Sequence, residues 1–152
     1  MMRLSKTSKR LLAFVVPIVV ASSSFAFEVQ TCEEAGIGLA SLVEPIEANH
    51  LRLYDGKASV FNVDTIEPAC CSSGVAVVIP DNSDPSGGSL CMAVIGLGSV
   101  DVVRANRTYD PARGLLLEMK TQEFDGASRL RTGPVLRLRL DLKTSRVLID
   151  TQ

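Results

Sequence analysis

The chain has 152 residues, of which 16 are basic and 17 acidic, giving a net charge of −1, and 5% are aromatic. This length favours a single domain, because domains of about 100–150 residues are the commonest size. The lack of a basic balance and the scarcity of aromatic rings argue against nucleic acid as a partner.

The first 26 residues have the pattern of a secretory signal peptide. Four basic residues precede an apolar run from Leu11 to Ala21, and a serine tract then leads to small residues at Ser24 and Ala26. A membrane span needs about 20 apolar residues, so this run is too short to be one. We expect residues 1–26 to be removed on export and residues 27–152 to form one domain that does not span a membrane. The alternative is an uncleaved N-terminal anchor.

Removal of the leader leaves 12 basic and 17 acidic residues, a net charge of −5. The charge is unevenly divided, because residues 27–91 carry two basic and ten acidic residues, whereas residues 92–152 carry ten basic and seven acidic ones. This asymmetry is typical of a fold whose halves attract each other. The alternative is functional polarity, with an acidic end and an arginine-bearing end.

A short helix is predicted near the start of the exported domain, from Thr31 to Glu44. Thr31 and Glu34 have the spacing of a capping box, and apolar residues recur on one helical face. Pro45 disfavours the helical conformation at Glu44 and therefore ends the helix there. A helix this short is marginal in water, so it must pack on the rest of the domain.

The remainder of the chain predicts strands joined by turns. A hairpin spans His50 to Asp64 around the turn pair Asp55-Gly56. The continuous apolar runs at 74–79 and 90–97 are typical of strands covered on both faces, so we place them in the middle of the sheet. A meander of further strands follows and ends at Ile149.

The clearest strand signal lies at 134–142, where leucines alternate with Arg137, Arg139 and Asp141. Side chains on a strand point to opposite faces in turn, so this strand has one face on a core and one in water, as antiparallel strands often do. The elements together predict a mainly β fold, bordering on α+β. We expect an antiparallel meander sheet, curled or sandwich-like, with the short N-terminal helix packed on it.

The four cysteines of an exported chain are interpreted as structural disulfides. They are Cys32, Cys70, Cys71 and Cys91. A bond between the two adjacent cysteines needs a strained ring, so we expect Cys32 to pair with Cys70 and Cys71 with Cys91, or the exchange of these. Either pairing ties the helix to the sheet and stabilises the fold by about 3–4 kcal/mol. No Cys-x-x-Cys spacing is present, and we expect neither a metal site nor a cofactor.

Four arginines form the candidate binding group: Arg129, Arg131, Arg137 and Arg139. The last two point to one side of a strand, and if the first two lie on a neighbouring strand, all four share one patch. Guanidinium groups bind carboxylates, phosphates and sulfates, so this patch predicts an acidic protein or an anionic envelope component as partner. The alternative is that these arginines form ion pairs across the sheet, with Glu118, Glu123 and Asp141.

No catalytic motif is present in the sequence. The only histidine, His50, has no nucleophile motif to serve and is interpreted as a surface residue. We therefore predict a small periplasmic or secreted binding domain of unknown ligand. The alternatives are a structural envelope component and a hydrolase or isomerase whose carboxylates converge in the fold. Candidate carboxylates for such an enzyme are Asp64, Glu67 and Asp101. Two buried carboxylates in a deep pocket would favour the enzyme, whereas a shallow exposed apolar patch beside the arginines would favour binding, and the absence of both would favour the structural role.

Overall fold

The computed structural model describes residues 27–66, 71–126 and 129–151, so the predicted signal peptide and Cys70 lie outside the described residues. Within these ranges there are twelve strands and three short 3-10 helices, and every strand pairing is antiparallel. The prediction of a mainly β, antiparallel fold is therefore confirmed. Among the described residues no helix is both long and apolar enough to cross a membrane.

Five strands form the largest sheet. In spatial order they are β1 (Gln30–Thr31), β5 (Ser89–Leu97), β4 (Ser73–Pro80), β3 (Ala58–Asp64) and β2 (His50–Leu53). The predicted hairpin is confirmed, since β2 pairs with β3 across a 3-10 turn at Tyr54–Gly56. The two continuous apolar runs form β4 and β5, and β4 is the central strand, as predicted.

The later part of the chain forms two smaller sheets. The four-stranded sheet has the order β12 (Arg146–Ile149), β11 (Leu136–Asp141), β8 (Gly114–Met119) and β7 (Asn106–Asp110). The three-stranded sheet has the order β10 (Leu130–Thr132), β9 (Thr121–Phe124) and β6 (Ser99–Val100). The predicted leucine strand is therefore β11, and it lies between β8 and β12.

One hydrophobic core joins the five-stranded sheet to the four-stranded sheet. Alternate residues of β4, namely Val75, Val77 and Ile79, pack in the same cluster as the leucines of β11. Leu136, Leu138 and Leu140 are completely buried there. The two sheets are therefore packed face to face, which confirms a sandwich-like arrangement, and each sheet also has an outer face.

The helix predicted from Thr31 to Glu44 is wrong. The capping-box contact does form, since Thr31 donates to the Glu34 carboxylate and the Glu34 amide donates back to the Thr31 hydroxyl. Only one turn follows, because Gly36 adopts a left-handed conformation with a φ of 67° that ends the helical path. The chain continues through 3-10 helices at Leu39–Ser41 and Ile46–Ala48. We call residues 32–48, which lie between β1 and β2, the flap.

The expected disulfide pairings are also wrong, because Cys32 is bonded to Cys91. Strand β1 pairs with β5 in a register that sets Thr31 opposite Met92. Cys32, which directly follows β1, therefore lies beside Cys91, which precedes Met92 on β5. The two cysteine Cα atoms are 5.3 Å apart, within the usual range for a disulfide. Cys32 and Cys91 do form a structural disulfide, and it ties the start of the flap to the sheet.

Candidate functional site

An apolar groove of about 400 Å³ lies between the flap and the outer face of the five-stranded sheet. The floor of the groove comes from three strands: Phe61, Ala76, Val78 and Cys91. One wall comes from the flap: Ile37, Gly38, Leu39 and Leu42. We call this feature the flap groove. Its volume falls in the range of about 300–1,000 Å³ that is common for ligand pockets.

The flap groove has depth because residues with small side chains occupy the middle of the outer face of the sheet. The strand register sets Phe61 opposite Ala76, and Ala76 opposite Ala93, on the outer face. The alanine side chains leave room above the sheet that the flap only partly fills. The covered part forms a second, smaller core cluster containing Cys32 and Val63. The uncovered part is the groove.

The flap is attached to the sheet at both ends of the groove wall. The Cys32–Cys91 disulfide holds its first residue. At the other end, Leu42 forms an isolated bridge with Val63, and the Val43 amide donates to the Asn62 carbonyl at 3.2 Å. Between these attachments Leu39 is 90% exposed. This exposed aliphatic side chain extends the apolar surface of the groove at its rim.

His50 lies on the outer face beside the groove floor. Its ring stacks on Phe61 with 4.3 Å between centroids and an angle of 6° between planes. Burial lowers the pKa of His50 below its ordinary value of 6.5, and the positive charge of Arg52 lowers this pKa further. Its Nε2 atom is buried without a hydrogen-bond partner among the described residues. The expectation of a plain surface histidine therefore holds only in part, since the ring is half-buried and supports the groove.

We expect the free energy of unfolding to fall on acidification because His50 has a lower pKa in the folded than in the unfolded chain. The contribution of neutral His50 to the free energy of unfolding is complete above pH 6.5. It is lost as the pH falls below 6.5 and through the lower pKa of the folded chain, because the unfolded chain binds the proton first. Urea unfolding at about pH 7.5 and about pH 5.5 measures the change. His50→Phe keeps an aromatic stack but cannot titrate, so its stability should change less over this interval. Equal pH dependence in both proteins would contradict the prediction.

The condition under which the four candidate arginines would share one patch, a neighbouring-strand position for Arg129 and Arg131, is not met. The neighbours of β11 are β8 and β12, whereas Arg131 lies on β10, which pairs with β9 in a different sheet. Arg129 precedes β10, and its backbone amide donates to the Asp125 carboxylate. Arg129 and Arg131 therefore do not lie on a strand next to β11, because β10 pairs with β9 in the three-stranded sheet whereas β11 belongs to the four-stranded sheet. Their role in binding stays a prediction.

The alternative of ion pairs across the sheet is confirmed for two of these arginines. Arg131 pairs with Glu123 at 2.9 Å, and the Arg137 Nε atom lies 3.6 Å from Glu118. The Arg137–Glu118 contact is therefore an ion pair, but its distance is too long for a hydrogen bond. Both pairs join residues that face each other across neighbouring strands.

Arg139 is buried and pairs with Asp150 rather than with Asp141. Its Nε and Nη2 atoms both donate to the Asp150 carboxylate, and its Nη1 donates to the Gly114 carbonyl at 3.3 Å. Arg113 donates to the same carboxylate oxygen at 3.1 Å. The Arg139 guanidinium is thus engaged within the protein and does not present an open fork to a ligand.

The two described candidate carboxylates of an enzyme, Asp64 and Asp101, are both accessible to solvent. Asp101 lines an open cleft of about 370 Å³ together with Glu118, but their side chains are 39% and 31% exposed and each pairs with an arginine. Asp64 is exposed at the end of β3 and accepts a hydrogen bond from the Ile66 amide. Glu67 lies outside the described residues. In the described ranges no three His, Cys, Asp or Glu side chains are grouped so that they could hold a metal ion.

Comparisons of the chain with family models, with curated proteins and with solved structures find no match.

The sequence reasoning missed the flap groove. One signal was present, since β4 and β5 carry alanines at Ala76 and Ala93 inside otherwise bulky runs. Small residues in the middle of a sheet leave depth on one face. How much of the outer face is covered depends on the flap. The sequence predicted a helix there, so it gave no indication of an open groove.

Proposed function

We propose that this chain is a small exported binding domain that holds an aliphatic part of its partner in the flap groove. The observation that carries the proposal is the apolar groove itself, with Leu39 exposed at its rim and a flap attached to the sheet at both ends. An apolar groove of this volume that is open to solvent can hold an aliphatic group of a partner. The groove takes the place of the arginine patch as the proposed contact surface.

Export is part of this proposal. The signal-peptide pattern of residues 1–26 supports it, and so does the Cys32–Cys91 disulfide, because disulfides persist in oxidising compartments such as the periplasm and the extracellular space. The open, partly exposed carboxylates of the Asp101 cleft offer no support for a hydrolase, because general acid–base groups usually have buried, perturbed environments.

A neutral apolar dye, 1-N-phenylnaphthylamine, tests the groove. We expect its fluorescence to rise on binding the folded protein, because the floor and wall exclude water from an apolar ligand. Val78→Asn places an amide on the groove floor and should weaken dye binding about tenfold, since an unpaired buried amide costs about 1–3 kcal/mol.

Val103→Asn is the matched control, because Val103 is also partly exposed but does not line the flap groove. It should leave dye binding unchanged. Equal dye affinity in wild type and both variants would contradict the groove as the binding surface.

A further inference from the structure

We propose that the partner of the flap groove is a basic protein segment, in which aliphatic side chains are flanked by lysine or arginine. This inference rests on the proposed function and adds the chemistry of the partner. It follows from the charges that surround an otherwise apolar site.

Carboxylates stand on the flap at both ends of the groove wall. Glu33 and Glu34 precede the wall, whereas Glu44 and Glu47 follow it. All four are exposed, and none forms an ion pair with another described residue. Along the chain, four carboxylates without an ion-pair partner therefore flank a wall that carries apolar side chains, and one of them, Glu34, also accepts hydrogen bonds from Thr31.

Few positive charges balance them in this half of the chain. Residues 27–91 contain ten acidic residues and two basic ones, Arg52 and Lys57. Both basic residues belong to the β2–β3 hairpin rather than to the flap. Arg52 shares the outer face of β2 with His50, whose pKa its charge lowers, and its guanidinium lies against Gly56 at the hairpin tip, so its positive charge lies on the β2 side of the groove, away from the four glutamates along the chain. The lowered pKa keeps His50 neutral at pH 7, so it adds no cation beside the groove.

The arrangement suits an occupant that is apolar in the middle and positive at its ends. Aliphatic side chains of the partner fill the space between Leu39 and Val78. Its cations, one on each side, approach the two glutamates that precede the wall and the two that follow it. Complementary charges mainly raise the rate and specificity of association, whereas burial of the aliphatic groups supplies most of the affinity. An anionic partner would meet repulsion from the same four glutamates.

Three short capped peptides serve as probes in competition with the bound dye. Lys-Leu-Val-Leu-Lys has the proposed chemistry, Glu-Leu-Val-Leu-Glu reverses the charge, and Lys-Ser-Ser-Ser-Lys removes the aliphatic groups. At about 20 mM salt we expect the first peptide to compete about tenfold better than either of the others. At about 500 mM salt its advantage over the glutamate peptide should shrink to about twofold or less, because salt screens exposed charges.

Two variants locate the effect on the flap. Leu39→Ser should weaken the lysine–leucine peptide about tenfold without unfolding the domain, since Leu39 is almost fully exposed. Leu148→Ser, the same change on an exposed leucine of the four-stranded sheet, is its control. Glu33→Gln with Glu44→Gln should weaken this peptide at low salt, whereas Glu28→Gln with Asp55→Asn, which removes the same charge elsewhere, should not.

The outcomes separate the two proposals. If the glutamate peptide competes as well as the lysine peptide, the basic partner is wrong while the groove remains a binding surface. If no peptide displaces the dye, the peptide-binding inference fails even though the dye test stands. If sedimentation shows a dimer of the chain that Leu39→Ser dissociates, the occupant is a second copy and the inference is overturned.

Discussion

Asp150→Ala is expected to lower the free energy of unfolding by about 3–5 kcal/mol. The Asp150 side chain is 1% exposed and accepts hydrogen bonds from both Arg139 and Arg113. Its removal leaves the buried Arg139 guanidinium without its counter-charge, and an uncompensated buried charge is strongly destabilising. The folded domain has only about 5–15 kcal/mol of stability, so a large part of it is lost. Urea unfolding of the purified variant measures the change.

Two comparisons test the physical reason. Glu118→Ala removes the partner of Arg137, a more exposed ion pair, and should cost less than about 1 kcal/mol. Replacing both Arg139 and Asp150 with leucine removes the charges together and should recover most of the loss, because the desolvation cost disappears with the ion pair. A change of less than 1 kcal/mol for Asp150→Ala would show that Arg139 finds water or another acceptor when its carboxylate is gone.

Replacing Cys32 and Cys91 together with alanine is expected to cost about 4 kcal/mol. The two residues are separated by 59 positions, and closing a loop of that size removes conformational entropy from the unfolded chain. The same variant should bind the apolar dye more weakly, because the flap loses the attachment that holds one end of the groove wall. Unfolding curves and dye titration of the double variant measure the two effects.

Leu39→Ser provides the contrast for this prediction. It changes the groove rim without changing an attachment of the flap, so it should weaken dye binding while leaving the free energy of unfolding almost unchanged. A double-cysteine variant that unfolds at the same urea concentration as wild type would refute the stabilising role of the disulfide. Unchanged dye binding in that variant would place the flap's anchorage at Leu42 and Val43 alone.

The predicted helix shows where local patterns stop being informative. Thr31 and Glu34 form the capping contact that their spacing indicates. Continuation of the helix beyond this one turn would need packing contacts that favour a helix. Instead, Gly36 takes a left-handed conformation, and Leu42 forms a β-bridge with Val63 of β3. A short helix with two glycines has too little intrinsic stability to resist such tertiary contacts.

The arginines show a second limit. Alternation along β11 correctly indicates that Arg137 and Arg139 point away from the leucine core. Whether such a side chain meets water or a carboxylate depends on what lies across the sheet and at its edge. Asp150 follows β12 and reaches Arg139, so one of the two arginines is buried although both share a face.

The amino-acid sequence by itself determined the β2–β3 hairpin, the strands β4, β5 and β11 and the side of β11 that faces the core, because these depend on apolar runs, on period-two alternation and on turn residues within a few positions of one another. Only the tertiary structure decided the partner of Cys32, the burial of Arg139 and the existence of the flap groove. Each of these depends on which strands become neighbours, and that choice follows from contacts between residues distant along the chain, which no local pattern encodes.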